Sequence, residues 1–329
     1  MFFKKTFAKL QIFLFLISFF SIPILAFAYP SKVILGGENI GIEVNSDGVL
    51  IVGFYDIDGI SPGKDASLQL GDRIIKIDDT VIDRITDLST AIDQDVNEIN
   101  ISYIRNNNTY TTNLTLYKDS NNVYKTGLYV KDTIIGIGTL TFIDPETLKF
   151  GALGHEIIEK TTGQKFEISN GNIFKSEITG VEKATRSEPG EKKANYHTND
   201  EFGIITKNEI TGIYGKYNNE VNATEVIDVA DPSEINLGFA QIKTVIDNTT
   251  IETFDIDIIQ LYDNDTKNIL FEVTDNRLLE KTGGIIQGMS GSPIVQNNKI
   301  IGAVTHVISD DATKGYGIYI TTMLKEIEN

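Results

Sequence analysis

Ser290 stands in Gly288-Met289-Ser290-Gly291-Ser292-Pro293, among the residue types that a nucleophilic hydroxyl needs around it. Glycines lack a Cβ, so the backbone beside the serine can take unusual dihedrals and turn its N–H groups toward a developing oxyanion. A hydroxyl is a poor nucleophile near neutral pH, and a base must reach it. The candidate is His155 in Phe150-Gly151-Ala152-Leu153-Gly154-His155-Glu156, where an apolar strand meets a small-residue turn that would expose the imidazole beside a cleft. An ordinary imidazole pKa of about 6.5 suits a proton shuttle. The chain has no cysteine, which excludes disulfides, thiolate metal sites and a Cys nucleophile. Its three histidines, His155, His197 and His306, show no HExxH spacing, so metal hydrolysis has little support and no cofactor is required. His306, on the strand after the nucleophile, reads as a partly buried structural residue. His197, in the charged stretch 188–201, reads as solvated.

The rest of the chain must bring these groups together. A length of 329 residues suggests two domains after a leader. Residues 1–28 carry Lys4, Lys5 and Lys9, then an uncharged apolar run ending in Ala26-Phe27-Ala28. That is the layout of a signal peptide cut after Ala28, with a retained membrane anchor as the rival reading. Either way the remainder lies outside the cytoplasm. The net charge of -17 argues against nucleic acid and anionic lipid as partners, because such surfaces select clustered Lys and Arg.

Residues 36–117 alternate strand and turn signals around two short helical stretches, one between Ser61 and the Gly71-Asp72 turn and one from Ile85 to Gln94. The order of elements and the sequence Ser61-Pro62-Gly63 through Ala66-Ser67-Leu68-Gln69-Leu70-Gly71-Asp72-Arg73-Ile74-Ile75-Lys76-Ile77 resemble the PDZ modules of exported bacterial proteases. In such modules a hydrophobic-Gly-hydrophobic loop captures a peptide's terminal carboxylate, and the peptide adds as a strand. The resemblance puts Asn39-Ile40-Gly41-Ile42 at that place, with Asn39 departing from the more usual glycine. Residues 118–329 are a series of short apolar strands parted by Gly, Asn and Asp, which argues for a sandwich or barrel.

The loop around Ser290 also resembles the nucleophile loop of chymotrypsin-type serine proteases. The implied fold is mainly β: a double β-barrel peptidase domain preceded by the small α+β PDZ-like module. The resemblance further implies that the amides of Gly288 and Ser290 form the oxyanion hole. It narrows at Gly151-Ala152-Leu153-Gly154-His155, at the run from Thr274 to Pro293 and at Gly302-Ala303-Val304-Thr305-His306-Val307. These look like the stage IV sporulation protein B peptidase family. That family implies a serine endopeptidase secreted into the space between the two forespore membranes, where it cleaves itself and then a membrane-bound regulator, activating the late mother-cell sigma factor. It places the triad acid at Asp275, whereas the usual chymotrypsin order favours Asp255, Asp257 or Asp263; Asp275 could instead cap the helix that starts at Asn276. The competing reading is a non-catalytic exported scaffold whose PDZ module binds peptide termini.

Overall fold

The computed structural model describes residues 29–92, 96–185, 188–221, 226–308 and 310–328. The expected leader, 1–28, lies outside them. The chain opens with β1 (Lys32–Leu35) and the long β2 (Asn39–Phe54). An α+β module follows: α1 (Pro62–Asp65), β3 (Arg73–Ile77), β4 (Thr80–Val81), α2 (Ile85–Ile92), β5 (Glu98–Arg105) and β6 (Asn108–Thr115). A small hairpin of β7 (Tyr117–Lys118) and β8 (Tyr124–Lys125) leads into β9 (Leu128–Ile143), β10 (Lys149–Ala152), β11 (Ile168–Glu182), β12 (Glu191–Glu209), β13 (Gly212–Tyr217) and β14 (Val226–Val229). The last third holds β15 (Gly238–Val245), β16 (Ile251–Leu261), β17 (Ile269–Val273), α3 (Asn276–Thr282), β18 (Pro293–Gln296), β19 (Lys299–Ile308), β20 (Asp311–Tyr319) and α4 (Ile320–Lys325).

Pairing closes two barrels. In the first, β9 pairs with β2, then β11, β12, β13 and β10 follow, and β10 returns to β9. In the second, β15, β16, β17, β20, β19 and β18 succeed one another, and β18 returns to β15. Period-two patterning dictates this locally: Phe254, Ile256 and Ile258 of β16 point inward, while Asp255 and Asp257 between them face out. The first barrel encloses Ile40, Ile42, Leu140, Phe150 and Ile173; the second encloses Ile242, Phe254, Phe271, Met289 and Ile294. A third cluster seals the seam, with Phe142 and Tyr214 from the first barrel against Ala303, Ile318 and Met323. Burying each large apolar side chain there contributes about 1.5–3 kcal/mol.

The double barrel agrees with the fold expected from the sequence, but the PDZ-like peptide loop does not. Asn39, Ile40, Gly41 and Ile42 form the start of β2; all four pair with β9 on one edge, and Ile40, Gly41 and Ile42 pair with β11 on the other. Ile40 and Ile42 lie in the first barrel's core, and the Asn39 amide donates to Ser176 Oγ. With both edges paired from Ile40 to Ile42, there is no room for an added strand on that stretch. A carboxylate loop and a buried strand share the same hydrophobic-Gly-hydrophobic pattern, and tertiary pairing alone separates them.

β2 and β9 are common to barrel and module. Val49 and Ile51 of β2 and Leu128 of β9 belong to the module core with Ile74, Leu88 and Ile101, so one strand pair runs from one core into the other. Within the module, Asp72 is enclosed and receives both the Nε and Nη2 of Arg105 at 2.6 Å, as well as the Gln69 N–H at 2.7 Å. Arg105→Ala strands that carboxylate among apolar neighbours. Chemical denaturation of the full chain should show a loss of about 2 kcal/mol, since Arg105 is only partly enclosed; unchanged stability would mean that water or another donor replaces the guanidinium.

Candidate active site

The loop that carries Ser290 leaves α3 and crosses to the first barrel, where β9 holds it. Thr139 N–H donates to Ser290 O at 2.9 Å, Thr139 Oγ1 to Gly288 O at 2.9 Å and Thr141 Oγ1 to Gly291 O at 2.7 Å. From the second barrel, Gly291 N–H reaches Val304 O at 2.7 Å. Gly291 has φ 91°, and a Cβ there would lie 2.1 Å from Thr139 O, so only glycine permits this approach. Met289 N–H turns away to Ile286 O at 3.1 Å, whereas the N–H groups of Gly288 and Ser290 donate to no acceptor among the described residues. Two unpaired amides flanking a serine can receive a developing oxyanion.

His155 reaches the same crevice from the first barrel. After β10, Leu153 and Gly154 take consecutive left-handed conformations, φ 68° and 70°, and the chain turns sharply at the histidine. The turn packs against the second barrel: a Cβ on Gly154 would sit 3.1 Å from Thr305 Cγ2 and from Val304 O. The His155 Nδ1 lies 2.8 Å from Glu156 O. A carbonyl only accepts, so Nδ1 carries the proton and Nε2 keeps a lone pair, the tautomer a general base needs. Burial lowers the His155 pKa from its ordinary value, partly opposed by the Glu156 carbonyl and carboxylate.

His306 faces His155, ring centroids 5.1 Å apart and planes tilted by 41°. His306 is exposed on β19 rather than partly buried as the sequence suggests; partial desolvation of its ring, then the neighbouring His155 and Lys267, push it down to about 4, and with His155 also lowered both imidazoles are neutral near pH 7. The Ser290 hydroxyl donates to Thr305 O at 2.9 Å. In this geometry the hydroxyl proton is directed at a backbone carbonyl rather than at His155. No group of three or more His, Asp or Glu side chains among the described residues is arranged to hold a metal.

Asp275 is not brought to His155. Its carboxylate accepts from Arg277 N–H at 2.9 Å and from the Arg277 guanidinium at 2.7 and 3.1 Å, and it caps α3. Those bonds, the Arg277 guanidinium foremost, hold its pKa below the usual carboxylate range. The His155 ring's one hydrogen bond among the described residues is to Glu156 O, so Asp255, Asp257 and Asp263 do not orient it either; Asp255 instead accepts from Gln241 at 2.8 Å. His197 sits on the exposed face of β12, 3.9 Å from Glu177. The sequence reading missed Thr139 and Thr141. Their signal was the alternation in Gly138-Thr139-Leu140-Thr141, which puts two hydroxyls on one face of a strand.

A family model described as SpoIVB peptidase S55 matches residues 122–324. The chain belongs to the SpoIVB peptidase S55 family. It is a serine peptidase. A PDZ domain model matches residues 39–116 of this SpoIVB-family peptidase, beginning in the part of β2 that builds the first barrel. Among solved structures, Rv3671c from M. tuberculosis H37Rv, in an inactive mutant form, is similar over 58% of this chain and 82% of its own, with 12% identity and a TM-score of 0.31. No curated protein matches the chain.

Two outcomes follow from this geometry. Since burial lowers the His155 pKa, the base stays neutral further into acid than a free imidazole. Covalent labelling of Ser290 by a peptidyl phosphonate should therefore be level near neutrality and fall only on the acid side, with a midpoint below about 6.5; a midpoint above that would contradict the assigned burial. Asp275→Asn keeps a capping oxygen and should leave turnover within about an order of magnitude. A fall on the order of 10⁴, as expected for a triad acid, would return that role to Asp275.

Proposed function

We propose that this SpoIVB-family peptidase is an exported endopeptidase of sporulation signalling, acting in the space between the forespore membranes. It cleaves itself near its N-terminus and then cuts a membrane-bound regulator, and that cut activates the late mother-cell sigma factor. In this reading residues 1–28 export the chain or anchor it until processing. The observation that supports the chemistry is that Thr139 binds both the Ser290 carbonyl and the Leu153 N–H at the turn before His155, while the His155 ring faces His306, next to the Thr305 carbonyl that takes the Ser290 hydroxyl.

Ser290 Oγ attacks a substrate carbonyl while His155 Nε2 takes its proton. The tetrahedral oxyanion is received by the N–H groups of Gly288 and Ser290, each worth roughly 3–4 kcal/mol in the transition state. The imidazolium then protonates the departing amine, and water repeats the sequence to release the acyl group. Glu156 O holds the Nδ1 proton throughout, the task a carboxylate performs in the common triad. Substrate backbone has a place to pair: β18 leaves β19 at Ala303, and among the described residues no strand pairs with that edge of His306 and Val307.

Mass spectrometry of the purified full chain and of its Ser290→Ala form tests this reading. The wild type should show a new N-terminus and label with a peptidyl phosphonate on Ser290 alone, and Ser290→Ala should show neither. Processing that persists in Ser290→Ala would assign the cut to another protease. Folded wild type that takes no label would favour the peptide-binding scaffold.

A further inference from the structure

Lys192 is the most deeply buried cation of the described chain, with 1% of its surface exposed. No carboxylate pairs with it among the described residues. Its ammonium donates to Thr244 Oγ1 at 3.0 Å and approaches Asn39 Oδ1 at 3.4 Å, two neutral oxygens that are themselves enclosed. An unpaired buried ammonium is costly, and burial pulls Lys192 down to about 7. A site filler would more economically be Leu or Met.

What Lys192 touches gives it a task. It lies near the end of a long hairpin, β11–β12, whose base belongs to the first barrel and whose far end reaches the nucleophile loop of the second. There Gln287 N–H donates to Gly190 O at 2.8 Å, and Lys192 N–H donates to Gln287 O at 3.0 Å. The Gln287–Gly288 peptide is trans, so fixing its carbonyl toward Lys192 aims the Gly288 N–H to the opposite side. The Lys192 stem then closes on Gly288 itself. A Cβ on that glycine would lie 3.0 Å from Lys192 Cδ and 3.2 Å from its Cβ, with Ile137 Cδ1 at 3.0 Å. Gly288 has φ 92°, and its carbonyl is taken by Thr139 Oγ1, so both peptide planes around it are held.

We propose that Lys192 is a positioning residue for the oxyanion hole: its main chain and aliphatic stem lock the Gln287–Gly288 peptide with the Gly288 N–H presented to the substrate. This rests on the reading of Gly288 and Ser290 as that hole. It is distinct from the clip made by β9, because it acts on the peptide plane before Gly288 and comes from another element. Nothing in it requires Lys192 to touch substrate.

The test uses the full chain, a chromogenic peptide substrate and a peptidyl boronate, which forms a tetrahedral adduct on the serine and so reports on the hole. Lys192→Ala removes the stem. Its kcat should fall by about tenfold or more with KM within about twofold, and boronate affinity should fall by the same factor as kcat while affinity for the cleaved peptide product holds. Lys192→Met keeps the stem without the ammonium and should stay within about threefold of wild type in kcat even if its melting temperature drops. A merely structural lysine would lower stability in both variants and leave the ratio of boronate to product affinity unchanged; that result, or an unaltered kcat in Lys192→Ala, would overturn the proposal. Wild type that binds no boronate would instead defeat the underlying reading of Gly288 and Ser290.

Discussion

Three hydrogen bonds from one strand hold the serine loop to the opposite barrel. The Thr139 N–H and the Thr139 and Thr141 hydroxyls of β9 take the carbonyls of Ser290, Gly288 and Gly291. With the carbonyls so engaged, the peptide planes of the loop are set, and the N–H groups of Gly288 and Ser290 are left without partners among the described residues. The same strand accepts the Leu153 N–H at 3.4 Å, at the turn that delivers His155. A single stretch of β9 therefore places both halves of the chemistry, and buried hydroxyl donors in a low-dielectric seam resist exchange with water.

This arrangement also relates the PDZ-like module to the peptidase. β9 begins in the module core at Leu128 and ends in the barrel core at Ile143, and β2 runs beside it in the opposite direction. The module is thus joined to the strand that clips the serine loop by continuous backbone pairing rather than by a linker alone. The polar stretch at 118–122 lies in the small β7–β8 hairpin just before β9.

The chemistry was legible where it is written locally. Ser290 and its glycines carry their own backbone requirements, and the turn before His155 announces itself through small residues. The barrels followed from strand alternation and turn spacing. Roles that depend on long-range partners were not legible. Asn39-Ile40-Gly41-Ile42 has the pattern of a carboxylate loop, and only its pairing on both edges shows a core strand. Asp275 stands at a plausible spacing before the serine, yet a neighbour two residues away, Arg277, claims its carboxylate. The carbonyl of Glu156, which fixes the imidazole tautomer, belongs to the backbone and has no sequence signature at all. Lys192 appears in sequence as one member of a charged run, and burial alone sets it apart.

The most direct measurement is a crystal structure of the full chain with a peptidyl boronate bound. The account predicts boron bonded to Ser290 Oγ, a boronate oxygen within hydrogen-bond reach of the Gly288 and Ser290 amides, and His155 Nε2 on the attacking side with Nδ1 still on Glu156 O. An adduct whose oxygen points away from those amides, or a His155 ring too far to reach the serine, would contradict it.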